Sequence, residues 1–151
     1  MLCFEEIFIL ILLALGVFYF LTCAVSFAGL FRQHPPVTTL APFVSVITAA
    51  RNEEDSIGDL IGDLVAQDYP SDRCEFIMVD DCSSDRTAEI IDHYASLDGR
   101  VRHASTACST SPFTHKKRAV HEGIMVARGE IIMTVDADCR VPSGWIKGMV
   151  S

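Results

Sequence analysis

The sequence predicts an α/β fold, a mostly parallel sheet flanked by helices, preceded by one transmembrane helix. Three observations predict it. An uncharged apolar stretch occupies the amino end, short β-branched runs alternate with helical patterns from residue 43 onward, and polar clusters follow three of the predicted strands. The expected organisation is a tail at 1–6, a transmembrane helix at 7–31, a linker at 32–42 and a soluble unit at 43–151.

Ile7 to Phe31 carries no charged residue. About 25 residues rising ~1.5 Å each make a helix long enough for a hydrocarbon core of roughly 30 Å. Glu5 and Glu6 stand where a signal peptide would carry its cationic region, which favours an anchor over a cleaved leader. Arg32 and His34 follow the helix while acids precede it, a bias that puts the soluble unit in the cytoplasm. Pro35 and Pro36 cannot continue a helix, so the segment up to Pro42 reads as a short stiff linker.

Phe43 to Ala49 (FVSVITA) is apolar without alternation, the pattern of a strand buried on both faces. Ile57, Leu60, Ile61, Leu64 and Val65 then recur at helical spacing, predicting a helix over Asn52 to Gln67 whose start is favoured by Asn52, Glu53, Glu54 and Asp55. Pro70 marks its stop. Phe76 to Asp80 (FIMVD) predicts a second strand, and Asp85 to Ala95 a helix capped by Ser84 or Asp85. Val101 to His103 is a short third strand and Ala104 to Thr114 a loop. A helix over Lys116 to Ala127 stops at Gly129, and Glu130 to Val135 (EIIMTV) is the fourth strand.

Six cysteines show no CxxC pair and no zinc-ligand spacing, so they read as reduced thiols; Cys82 and Cys139 read as small packing residues. The net charge of −8 excludes a nucleic-acid partner, because a phosphate backbone needs a basic face. An acidic chain can still bind one nucleotide when a metal ion supplies the positive charge.

In open parallel sheets ligands bind beyond the carboxyl ends of the strands. Arg51-Asn52-Glu53, Asp80-Asp81 and Asp136-Ala137-Asp138 each follow a predicted strand, so all three are expected on one rim. Carboxylates crowded there repel by roughly 4 kcal/mol per pair at ~4 Å and intermediate dielectric unless a cation or donors compensate. Asp136 and Asp138 flank a small residue and can offer oxygens to Mg2+ or Mn2+, leaving other positions to water and a diphosphate. Lys116 or Lys117, near a helix start, adds charge for the same diphosphate. Taken alone, Asp80-Asp81 would cap a turn, and Lys116 to Arg118 would be a solvated helix face, Arg118 most of all. His115 and His121, six residues apart, share no helix face as ligands would and read as surface or core.

Five ordered segments carry a family resemblance: VSVITAARNEE (Val44 to Glu54), QDYP (Gln67 to Pro70), FIMVDDCSSDRT (Phe76 to Thr87), KKRAVHEGIMVARGEIIMTVDADC (Lys116 to Cys139) and VPSGW (Val141 to Trp145). Together they resemble the family 2 glycosyltransferases. The resemblance implies a GT-A fold, here its amino-terminal, donor-nucleotide-binding part. It implies transfer of a sugar, with inversion, from a nucleoside-diphosphate sugar, usually a UDP-sugar, to an acceptor that the sequence does not identify. By position, Ala49, Ala50, Arg51, Asn52 and Glu53 line the nucleotide pocket, with Glu53 near base or ribose. Asp81, with Asp80 beside it, holds the base edge, and Lys116 approaches the diphosphate. Asp136 and Ala137 lie near ribose or sugar, and Asp138, with Asp136, binds Mg2+ or Mn2+.

The sequence departs from the family where His121-Glu122 replaces Asn and a small residue. The family's general base is an acidic residue well downstream, so it is expected beyond Ser151, with this chain an incomplete GT-A unit inactive alone. The alternative is a non-catalytic, membrane-tethered nucleotide-binding module. A nucleotidyltransferase is disfavoured because no glycine-rich loop follows the first strand, and an Asp-nucleophile phosphatase because no Thr follows at Arg140.

Overall fold

The structure, a computed structural model, describes residues 4–30 and 41–151. The chain divides into two units, Met1–Pro36 and Val37–Ser151. The first contains helix α1, Phe4–Leu30, of 27 residues, which takes in Glu5 and Glu6 of the expected tail. Its described side chains are exposed, including Phe18, Tyr19 and Phe20. Among the described residues no helix is long and apolar enough to cross a membrane, the unbroken run of described side chains in α1 being 11–27. Apart from Ala41 and Pro42, the expected linker at 32–42 lies outside the described residues.

The second unit holds strands β1 (Val44–Ala50), β2 (Cys74–Asp80), β3 (Val101–Ser105) and β4 (Ile131–Thr134) and helices α2 (Ile57–Val65), α3 (Thr87–Leu97), α4 (His115–Val126) and α5 (Trp145–Val150). The strands form one sheet in the order β3-β2-β1-β4. Every pairing is parallel, with Ala50 opposite Asp80, Ile47 opposite Thr134 and Asp80 opposite Ser105.

Because side chains alternate across a strand, β1 and β2 feed two cores. Val46, Phe76 and Met78 pack with Ile57, Leu60, Ile61 and Leu64 of α2, Ile91 of α3 and Ile146 of α5. On the other face Ile47, Ile77 and Val79 meet Ala119 of α4. Helices therefore cover both faces, which is why the central strands read as continuous apolar runs.

Two of the helix boundaries that differ from expectation are those of α2 and α4. Residues 52–55 are not helical: Asn52 adopts φ 55°, and α2 begins only at Ile57. Helix α4 ends at Val126, one residue short of the expected Ala127, with Ala127 and not Gly129 at its C-cap. Gly129 is needed for close approach instead, since a Cβ there would lie 2.5 Å from the Ser45 backbone nitrogen, and its own N–H donates to Ser45 Oγ at 2.8 Å.

Candidate functional site

Parallel neighbours end on the same edge, so the sheet delivers the loops after β1, β2 and β4 to one rim. The ladders continue into those loops: Asp81 N donates to Ala50 O (2.8 Å), Val135 N to Ile47 O (3.2 Å) and Thr106 N to Asp80 O (3.0 Å). A cavity of about 320 Å³ opens there, lined by Ala49, Ala50, Arg51 and Glu53 from β1 and its loop, Asp81 after β2, Asp136, Ala137 and Asp138 after β4, and His115 and Lys116 of α4.

The structure places the expected residues Asn52 and Asp80 outside that lining, in the turns that support it. The Asn52 N–H donates to Ser83 Oγ (3.0 Å), and its Oδ1 accepts from Ser84 N (2.8 Å). The buried Asp80 carboxylate accepts from Ser83 N at 3.2 and 3.3 Å. Glu53 N donates to Thr87 Oγ1 (2.8 Å), Glu54 N to Asp85 Oδ2 (3.2 Å) and Arg86 N to Glu54 Oε2 (3.1 Å), so the first two rim loops are laced together. Asp85 Oδ1 also accepts from Thr87 N (3.0 Å), but the N-cap of α3 is Arg86, without a side-chain cap bond, rather than the expected Ser84 or Asp85.

Asp81 is 3% exposed. Its Oδ1 accepts from Thr106 Oγ1 and from Arg118 NH2, both at 2.6 Å. Burial by itself would raise this carboxyl, but the Thr106 and Arg118 donors outweigh it and hold the group below the usual carboxylate range. Arg118 is thus the counter-ion of Asp81 rather than a solvated side chain. Sequence spacing hid this because the pair spans 37 positions and forms only when α4 lies on the sheet.

The other rim acids differ in how they are balanced. The Glu53 carboxylate accepts from Ser56 Oγ at 2.9 Å, and Lys116 Nζ lies 2.6 Å from Asp136 Oδ1. For exposed Asp138 the contact made is a long one, from Cys139 Sγ at 3.8 Å. The loop bearing it is clamped to α2: Arg140 donates to both Asp63 oxygens (2.7 and 2.9 Å) and to Asp59 (3.0 Å), and Val141 N donates to Asp63 (3.1 Å).

Among the described residues no group of three or more His, Cys, Asp or Glu is placed to hold a metal. Mg2+ beside a nucleotide needs only one or two carboxylates, because phosphate and water oxygens fill the rest. Asp138, with Asp136 two residues away, meets that hard-oxygen requirement, so the donor set fits.

His115, expected at the surface or in the core, is exposed and also lines the cavity, with φ 52°. His121 sits in a tilted ring contact with Phe113, centroids 5.3 Å apart. Cys82 and Cys139 are exposed rather than packed, and the described cysteines are free thiols.

A family model described as glycosyl transferase family 2 matches residues 45–151. The β-monoglucosyldiacylglycerol synthase of Synechocystis sp. is 34% identical over 109 residues, 72% of this chain and 22% of that protein. Staphylococcus aureus TarS, solved in complex with UDP-GlcNAc, superposes with a TM-score of 0.57 at 30% identity over 71% of this chain and 30% of its own. A mannosyltransferase from Pyrobaculum calidifontis, solved with GDP-Man and Mn2+, gives a TM-score of 0.61 at 26% identity, covering 75% of this chain and 33% of its own. The chain spans about a fifth of the length of curated relatives such as the Synechocystis synthase, at 22%.

Proposed function

The chain belongs to glycosyl transferase family 2, and from that premise we propose that residues 43–151 form the donor-nucleotide part of an enzyme that transfers a sugar, with inversion, from a UDP-sugar to an acceptor. The observation that carries this reading is the single cavity to which three strand ends bring Glu53, Asp81, Asp136 and Asp138 while α4 brings Lys116. The nucleoside-diphosphate sugars bound by TarS and the archaeal mannosyltransferase support that class of ligand.

In this reading Ala49 and Ala50 leave room for the nucleoside, with Glu53 toward base or ribose. Asp81 Oδ1 takes both protein donors, which leaves Oδ2 to accept from a base N–H. Uracil presents such a donor at N3 and cytosine an acceptor, so the geometry favours uridine over cytidine. Lys116 exchanges its contact with Asp136 for the diphosphate, aided by the start of α4, whose amides no N-cap side chain satisfies. Asp138, with Asp136, would hold Mg2+ or Mn2+. When bound, that ion supplies Lewis-acid stabilisation of the charge growing on the departing diphosphate.

Helix α1 is the membrane anchor in the same reading. Its 27 backbone residues correspond to roughly 40 Å at ~1.5 Å each, and Arg32 and His34 beyond it favour a cytoplasmic soluble unit.

Calorimetric titration of the detergent-solubilised chain tests the donor site. UDP is expected to bind more tightly than CDP, and Mn2+ to increase UDP affinity in the wild type but not in Asp138→Asn. Equal affinity for UDP and CDP, or an Mn2+ effect that survives Asp138→Asn, would contradict the assignment.

A further inference from the structure

Among the described residues three non-glycine residues have left-handed backbone: Asn52 (φ 55°), Cys82 (φ 58°) and His115 (φ 52°). Such a conformation is disfavoured for side chains with a Cβ, less so for Asn, Asp and His than for others. The first two sit in turns whose bonds offset the strain. Asn52 is tied to Ser83 and Ser84, while Cys82 lies inside the Asp80–Ser83 turn with its Sγ 3.6 Å from Thr106 Oγ1.

His115 has no such compensation. Among the described residues no side chain or backbone group hydrogen-bonds to its imidazole, which is exposed at the cavity. A glycine would start α4 there without strain. Strain retained at a ligand cavity, with no internal bond to offset it, is the pattern of a functional side chain.

We infer that His115 binds the donor diphosphate, its imidazole N–H donating to a phosphate oxygen beside Lys116. The inference rests on the donor-nucleotide reading and adds a ligand-contacting residue to it. Position decides which part of the ligand is met. Asp81 follows β2, whereas Asp136 and Asp138 follow β4, and β1 lies between them. His115 directly precedes Lys116, whose ammonium lies 2.6 Å from Asp136 Oδ1, and both residues line the cavity together with Asp136 and Asp138. Four carboxylates line this cavity, and an anionic ligand needs donors among them; the lining supplies Arg51, Lys116 and His115. A neutral imidazole already carries one N–H, so the contact does not require protonation.

The test compares wild type, His115→Gly and His115→Asn in the full chain, titrating UDP and, separately, uridine, and recording the thermal midpoint. His115→Gly is expected to raise the Kd for UDP about tenfold, the order lost with one hydrogen bond to a charged oxygen. Its Kd for uridine stays unchanged, and its thermal midpoint rises as the strain is relieved. His115→Asn, which tolerates the same backbone and keeps an N–H donor, recovers part of the UDP affinity. Unchanged UDP binding in His115→Gly overturns the inference alone, as does an equal loss for UDP and uridine, which would mark a displaced helix start. A folded wild-type chain that binds no UDP overturns the donor reading, and this inference with it.

Discussion

Gly123 of α4 lies against the sheet, and its replacement by alanine sets two physical effects of opposite sign against each other. In an open helix Gly→Ala stabilises by about 1 kcal/mol, through reduced backbone entropy in the unfolded chain and better helix propensity. Here the added Cβ would run into Ile47 Cγ2 and lie 3.2 Å from Val79 Cγ2 and 3.4 Å from Ile47 Cδ1. Ile47 is fully buried. Its Cγ2 branches from Cβ, so it cannot move aside without a change of χ1 rotamer. Overpacking of this kind costs about 1–3 kcal/mol. Taking the upper half of that range, since the collision is with a rigid branch, the net effect is a destabilisation of about 1–2 kcal/mol. Relief by lifting α4 would also lengthen the 2.6 Å contacts of Arg118 with Asp81 and Lys116 with Asp136, weakening UDP binding. The chain has a single tryptophan, Trp145, which lies in the second unit and is partly buried. Its fluorescence in a urea titration therefore follows this unit without interference from α1. A Gly123→Ala chain whose urea midpoint equals or exceeds that of the wild type would refute the packing argument.

Acid should expose a second dependence, at Glu75. Burial would raise this carboxyl, but Ser45 Oγ, the Arg128 N–H and guanidinium, and Arg102 together hold it at about 2 instead of 4.5. At ~1.4 kcal/mol per unit this is roughly 3 kcal/mol of stability. Because the folded value is depressed, the contribution is full above about pH 4.5 and is lost as pH falls toward 2. Glu75→Gln should be less stable at pH 7 and show a shallower decline between pH 5 and 2.5; an acid limb as steep as the wild type's would count against it. For α1, alkaline carbonate extraction should leave the chain in the membrane pellet, and its release to the supernatant would end the anchor assignment.

The central strands were legible because burial on both faces leaves an uninterrupted apolar signature in FVSVITA and FIMVD. Their errors have local causes. β2 begins at Cys74 because Glu75 is buried among Arg102, Arg128 and Ser45, and a charged residue does not read as core. β3 carries Arg102 and His103 and runs on to Ser105; it is an edge strand with one neighbour, so its pattern is weak. Residues 52–55 resemble a helix start because Asn, Asp and Glu favour helix N-termini, but their polar groups engage the loop after β2 instead. Nine of the eleven expected site residues line the cavity, because the rule that places ligands at carboxyl strand ends depends only on strand order and direction. Asn52 and Asp80 fall outside it, and His115 and Arg118 were missed. Their roles depend on side-chain direction and on the docking of α4, neither of which is written in local spacing.

The crowding of acids on the rim raised an electrostatic question, and the structure resolves most of it without an ion. Asp81 has Arg118, Asp136 has Lys116, and Glu53 has the Ser56 hydroxyl. Two of these compensating groups come from α4, so docking that helix and neutralising the rim are the same event. Asp138 is different: among the described residues its carboxylate meets no cation, yet the loop holding it is fixed to α2 by the Arg140 fork on Asp63 and Asp59. A carboxylate held in place with its charge unbalanced favours an incoming cation more than one already paired, because no existing contact must first be broken. The same comparison makes Asp136 the weaker partner until a diphosphate draws Lys116 away. Nucleotide and divalent ion are therefore expected to bind with positive coupling, each removing an obstacle to the other.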